Sequence, residues 1–256
     1  MGSITQAWEG DKIKAIITCA GFATRLWPLT KEVPKPLLEV KGKPIVEHII
    51  NKVLELPDVD EVLVVTNEKF YGPFSSWLKD AKFSAPVKLL NDGSSSNDDR
   101  LGQIGDVLFG MKEGKVDDDI IVVAGDNLFN FSLMDAYKKF KDTKSVVNPL
   151  YDIRSLSAAK QLGTVVLADD TSFLEFFEKA EMPKSTLVSL GIYFFAREKA
   201  KLINQYLDSG ENPDKMGYFL TWLIGKDRVF GHTYYEKWFD IGWIKSLEEA
   251  RRDFEP

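Results

Sequence analysis

Two rhythms of apolar residues run along the first half of the chain. Short apolar runs alternate with stretches in which apolar positions return every three or four residues. The runs predict strands over 12–18, 61–66, 86–90, 118–124 and 145–150. Ala15-Ile16-Ile17 and Ile120-Ile121-Val122-Val123 have no polar alternation, as in strands buried on both faces. The periodic stretches predict helices over 44–56, 71–81, 101–114 and 133–140. In the first of these Ile45, Val46, Ile49, Ile50, Val53 and Leu54 share a face, and Pro44 stands where a first helical turn tolerates proline. The stretch 91–100 carries three serines and three aspartates and predicts a mobile loop. Strand alternating with helix implies an α/β fold. Its sheet is mostly parallel, flanked by helices, with a ligand crevice at the carboxyl ends of the strands.

After residue 150 the texture changes. Strand-like runs at 163–167, 173–177, 187–195 and 228–235 mix with helix-like stretches at 200–208, 217–224 and 244–252. This half reads as α+β. Pro183 and the cluster 209–213 mark turns, but no linker separates the halves. The expectation is a flexible start over 1–11 and a single domain over 12–256.

Composition narrows the functions open to this fold. The 256 residues are 44% hydrophobic and 28% charged, as in an ordinary globular protein with a core of good size. A net charge of −6 argues against sequence-independent nucleic-acid binding, which rests on neutralising phosphates. Any phosphate site must therefore use local cations and backbone N–H groups. The one cysteine, Cys19, permits no internal disulfide and fits a reducing, cytoplasmic setting. Residues 1–10 contain no apolar signal core, and no run is long enough to span a membrane. His48 and His232 lack zinc-ligand spacing.

Chemistry concentrates after the first strand. There a turn of small residues, Ala20-Gly21-Phe22-Ala23-Thr24, is followed by Arg25 and then by Pro34-Lys35-Pro36-Leu37. Small side chains let backbone N–H groups approach a polyphosphate, and the two cations can neutralise it. The stretch is neither a dinucleotide fingerprint nor a Walker A loop. Asp126 follows a buried strand at the crevice, where a carboxylate can hold Mg²⁺ or simply cap the next turn. Asp240, among bulky apolar neighbours in Trp238-Phe239-Asp240-Ile241-Gly242, is either buried against a partner or held for a ligand. Gly102-Gln103 opens a helix; the amide can face a pyrimidine edge or simply be a polar first-turn residue. Glu178-Lys179, by itself, reads as a surface ion pair.

Taken together these motifs resemble the signature of the sugar-1-phosphate nucleotidylyltransferases, the nucleoside-diphosphate-sugar pyrophosphorylases. That family's pattern is Gly-x-Gly-Thr-Arg-Leu followed by Pro-Lys-Pro-Leu. Ala23 stands here in place of the second glycine, which matters because alanine tolerates positive φ less well. Val123-Ala124-Gly125-Asp126-Asn127, Gly163-Thr164-Val165-Val166, Glu178-Lys179-Ala180 and Ser189-Leu190-Gly191 follow in the family's order.

The resemblance implies a Rossmann-like, GT-A-like nucleotidyltransferase fold. Residues 12–150 form its nucleotide-binding half and 151–256 its sugar-phosphate half. It also implies a glucose-1-phosphate thymidylyl- or uridylyltransferase activity dependent on Mg²⁺. The partners are a nucleoside triphosphate and a sugar 1-phosphate, with a homo-oligomer compatible. Ala20, Gly21, Ala23, Thr24, Gly102 and Gln103 would bind nucleotide. Gly163, Glu178, Lys179 and Ser189 would bind the sugar phosphate. Arg25, Lys35 and Lys179 would be catalytic, and Asp126 and Asp240 would hold the metal. Two rivals remain: a cytidylyltransferase acting on phosphocholine or another phosphorylated alcohol, and a non-catalytic nucleotide-sugar-binding homologue. The latter would typically have lost Asp126, Asp240 or Lys35.

Overall fold

The computed structural model describes residues 12–256; the stretch 1–11, expected to be a flexible start, lies outside the described residues. In chain order it forms β1 (Ile13–Thr18), β2 (Glu39–Val40), β3 (Lys43–Pro44), α1 (Ile45–Val53), β4 (Val59–Thr66), α2 (Glu68–Asp80), β5 (Val87–Asn91), α3 (Gly102–Glu113), β6 (Asp119–Ala124), β7 (Asn127–Phe129), α4 (Met134–Thr143) and β8 (Val146–Asp152). It continues through α5 (Leu156–Ala159), β9 (Gly163–Leu167), β10 (Phe173–Glu178), β11 (Leu187–Ser189), β12 (Ile192–Phe195), α6 (Arg197–Ala200), α7 (Leu202–Asp208), α8 (Met216–Ile224), β13 (Val229–Tyr234), β14 (Trp238–Asp240) and α9 (Ile244–Asp253).

One 10-stranded sheet runs through both halves, in the order β10-β9-β11-β8-β12-β6-β1-β4-β5, with β13 also paired to β8. Around β1 the pairings with β4 and β6, and of β4 with β5, are parallel. The second half joins by antiparallel pairing of β12 with β6 and β8. The outcome is the mixed, mostly parallel sheet in a single domain that the strand–helix alternation implies.

Alternation of side chains across each strand splits the core in two. Ile13, Ala15 and Ile17 of β1, Val62 and Val64 of β4, and Ile121 and Val123 of β6 enter one cluster, which is covered by residues of α1, α2, α4 and α9. Ile16, Leu63, Val65, Ile120 and Val122 enter the other, beneath α3, α7 and α8. The buried apolar runs are therefore the middle layer of a three-layer sandwich.

Several elements depart from the sequence reading. Helix α2 begins at Glu68, not at 71, because the Asn67 side chain accepts the Phe70 N–H and caps it. The single strand expected over 187–195 is broken between β11 and β12 by Gly191 at φ +68°. The break lets one segment pair with β8 and β9 and the next with β6 and β8. The helix expected over 200–208 starts earlier, as the short α6 followed by α7.

The loop 91–100, expected to be mobile, is instead held by its own side chains. Asp92 accepts from the N–H and hydroxyl of Ser94, and Asp99 accepts from the N–H groups of Ser95 and Ser96. The same serines and aspartates that read as solvated loop thus satisfy its backbone, as local side-chain hydrogen bonds do in turns. Finally β7 and β14, which had no strand signal, form a separate two-stranded ladder beside the sheet.

Candidate active site

The turn after β1 is fixed from three sides. Cys19 N–H donates to Val65 O at 2.7 Å, Gly125 N–H to Thr18 O at 2.9 Å, and the buried Asn67 side chain to Ala20 O at 2.7 Å. Ala23 occupies the left-handed region at φ 46°, ψ 42°, so the path that a glycine usually takes is kept despite the Cβ. For an L-residue this costs about 1–2 kcal/mol. The buried hydroxyl of Thr30 donates to Ala23 O at 2.8 Å, and Leu26 N–H to the same oxygen at 3.0 Å, holding the strained residue in place. Arg25 follows at once, its guanidinium 5.4 Å from the centre of the exposed Trp243 ring.

Asp126 and Asp240 meet through the ladder that the sequence did not signal. β14 pairs antiparallel with β7 and sets Asp240 opposite Asn127. Trp238 Nε1–H donates to Asn127 Oδ1 at 2.9 Å, and Ile241 N–H to Asp126 O at 3.3 Å. Lys35 Nζ lies 2.6 Å from Asp126 Oδ2. Burial, and then the nearby Asp126 carboxylate, push the Asp240 carboxyl up to about 6, while Lys35, Lys179 and Arg25 pull it down. Two acids and three cations from five segments thus share one electrostatic neighbourhood. Among the described residues no group of three or more acid, histidine or cysteine side chains is arranged to hold a metal by itself.

At the start of α3 Gly102 sits at φ +78°, where a Cβ would come within 2.6 Å of Pro213 O. Its open side therefore faces the backbone of 213–214. Gln103 N–H and Ile104 N–H donate to Asp214 O and Pro213 O, at 3.1 Å and 2.9 Å. The Gln103 side-chain oxygen accepts Met216 N–H at 3.2 Å. Because an N–H must meet the oxygen end, the amide is oriented and its two donors are left over. Arg100 pairs with Asp214 at 2.9 Å.

On the second-half side, Glu178 ends β10 and pairs with Lys215 at 3.2 Å. Gly163 is needed for packing: a Cβ there would lie 2.6 Å from the Phe176 ring. Lys179 has φ 53° and donates its N–H to Leu162 O at 3.2 Å. The Ser189 hydroxyl bonds Tyr193 Oη at 3.2 Å.

These segments meet at one cleft of about 530 Å³. It gathers Ala20, Gly21, Ala23, Thr24, Arg25, Lys35, Gly102, Gln103, Asp126, Gly163, Glu178, Lys179, Ser189 and Asp240, every position singled out in the sequence. It also holds Arg100, Asp106 and Lys215, which sequence reasoning passed over. Asp106 carried a signal: a charged residue between Ile104 and Val107, on the buried face of a helix.

Comparison with known proteins gives the family. The chain belongs to the nucleotidyl transferase family, whose model matches residues 14–255. The bifunctional protein GlmU of Methanocaldococcus jannaschii is 32% identical over 243 residues, covering 93% of this chain but 53% of that protein. The chain thus spans about half the length of that relative. The UTP–glucose-1-phosphate uridylyltransferase AglF of Haloferax volcanii is 26% identical, with 94% of this chain and 96% of that protein covered. Among solved structures, UTP-bound UGPase from Acinetobacter baumannii superposes with a TM-score of 0.77 at 18% identity, over 94% of this chain and 92% of that one. That likeness speaks for the fold. Among the described residues no helix is long and apolar enough to cross a membrane.

Proposed function

We propose that the chain joins a sugar 1-phosphate, glucose 1-phosphate in the first instance, to dTTP or UTP with the help of Mg²⁺, releasing pyrophosphate. The observation that carries this reading is the convergence on Asp240 of a second carboxylate and three cations from separate segments. Phosphoryl chemistry needs such a cluster, because catalysis there is positioning and charge neutralisation. A sugar phosphate oxygen attacks the α-phosphorus in line, one P–O bond forms, the α–β bond breaks, and no covalent enzyme intermediate is required.

Each residue has a task on this reading. The N–H groups of 20–24 cradle the triphosphate, and Arg25 steadies the departing β- and γ-phosphates. Lys179 and Lys35 offset charge around the α-phosphate and the incoming phosphate. Lys35 also balances Asp126, which it touches. Asp126 and Asp240 fit Mg²⁺, which takes one or two carboxylates and draws its other ligands from phosphates and water. When bound there, the ion supplies further neutralisation of the reacting oxygens. Glu178, set by Lys215, is placed for sugar hydroxyls. Residues 12–150 then serve the nucleotide and 151–256 the sugar phosphate.

The base follows from Gln103. With its oxygen tied to Met216 N–H, the amide offers donors, which suit the O4 carbonyl of uracil or thymine and not the amino group of cytosine. The name of the Haloferax volcanii relative supports a uridylyl donor. Pyrophosphate release should be measured with dTTP, UTP, CTP, ATP and GTP against glucose 1-phosphate, with and without Mg²⁺, and with CTP against phosphocholine. The expected result is Mg²⁺-dependent turnover of UTP or dTTP. A clear ATP or GTP preference would overturn the role of Gln103, and turnover of phosphocholine alone would overturn the sugar.

A further inference from the structure

Asp106 lies on α3 three residues after Gln103, so the two side chains are neighbours on one helical face, with Cβ atoms about 5–6 Å apart. Asp106 is only 6% exposed, yet it lines the cleft. Its Oδ1 has no hydrogen-bond donor, and neither does the buried Oδ2 of Asp92. The two carboxyl groups lie close enough for a shared proton to link them. The other Asp92 oxygen, Oδ1, is taken by the N–H and hydroxyl of Ser94, itself 3% exposed. A proton shared between the pair would supply a donor that these buried acids lack. Burial, and then the Asp92 charge, push the Asp106 carboxyl up to about 8, in keeping with that shared proton. Asp106 then has acceptor capacity left over, next to the donors of Gln103.

We infer that Asp106 is a base-reading residue, whose carboxyl, braced by Asp92, accepts the N3–H of a uracil or thymine while the Gln103 amide donates to O4. This rests on the proposed uridylyl or thymidylyl activity. A donor and an acceptor side by side match the imide edge, where N3–H adjoins a carbonyl. Acids this deeply buried are rare in protein interiors, and a ligand contact gives this one a use that packing does not.

The test pairs UTP with N3-methyl-UTP, which lacks the N–H and carries bulk in its place. The ratio of kcat/KM, and of Kd from equilibrium binding, is measured for the wild-type chain, Asp106→Ala and Asp106→Asn. Wild type is expected to prefer UTP at least roughly 30-fold. Asp106→Ala should weaken UTP about 10-fold and collapse the preference to within about 3-fold. Asp106→Asn, which keeps a carbonyl acceptor and an amide for Asp92, should retain it. A merely structural Asp106 would weaken both ligands equally and leave the ratio unchanged, which overturns the assignment. So would a wild-type chain that accepts the methylated base as readily as UTP, a result that needs no folded variant. If UTP binds but no nucleotide sugar forms, the activity falls, and the binding ratio still decides Asp106.

Discussion

Asp126 and Asp240 stand in the cleft among Lys35, Lys179 and Arg25, whereas Asp92 and Asp106 face each other beside α3 with Arg100 as the cation acting on them. Asp126, Asp240 and Asp106 line the same pocket, and burial is the first cause of the raised carboxyl in Asp240 and in Asp106. The difference lies in what else is near. Cations hold Asp240 at about 6, so this carboxyl is largely charged at neutral pH, as the proposed divalent ion requires. The second pair has less relief, and Asp106, at about 8, keeps a proton. Position among neighbours, not residue type, separates an acid that keeps its charge from one that keeps its proton.

The comparison breaks most decisively at the first pair. Asp126→Asn should lower Mg²⁺-dependent turnover at least roughly 1,000-fold, the equivalent of several kcal/mol; near-normal turnover at saturating Mg²⁺ would remove the charge clamp from the account. Next in size is Lys35→Ala, expected to reduce kcat roughly 100-fold. Because Lys35 touches Asp126, the variant should also melt slightly lower without metal and recover when Mg²⁺ is added. A large, metal-insensitive loss of Tm with activity per folded molecule intact would mean that the ion pair is structural.

The second pair is sharpened by pH. Asp106 binds its proton more tightly in the folded chain than in the unfolded one, where a carboxyl titrates near 4. Its contribution to stability therefore falls as pH rises from about 4 to about 8, and is level above that. Asp106→Asn removes the titrating group, so its advantage over wild type should grow across the same window, to on the order of a few kcal/mol at pH 8. Thermal melts at pH 5 and pH 8 check the sign; an equal difference at both would show that Asp106 does not hold the proton. The smallest effect lies at the phosphate turn, where Ala23→Gly should relieve left-handed strain and stabilise by up to about 1 kcal/mol, less the added freedom of the unfolded chain. A drop in Tm on that change would show that the Thr30 and Leu26 bonds need the alanine backbone held stiff.

Much of the fold was legible because buried strands leave an unbroken apolar trace. β1 and β6 were found within a residue of their bounds, and β9 at its full length. What went unread was short or depended on a single side chain. The Asn67 cap moved the start of α2, and Gly191 divided a strand whose apolar content gave no hint of a break. Ladder β7–β14 has three residues on each side and no periodicity to betray it. The cleft residues were legible through motifs, not physics, so those outside the motifs were missed: Arg100, Asp106 and Lys215.

The sequence by itself determined the alternating α/β layout, the small-residue turn with Arg25 and Lys35 after the first strand, and the family resemblance that tied distant motifs together. Those properties live in local patterns, where a side chain's type and spacing suffice. Tertiary structure alone decided that Asp240 lies opposite Asn127, that Gly102 makes room for the backbone of 213–214, and that the Gln103 side-chain oxygen is taken by Met216 N–H. It also decided that Asp92 and Asp106 meet. Each of these joins residues far apart in the chain, and the energy of such a contact depends on burial and on neighbouring charges, which exist only once the sheet has brought its strands together.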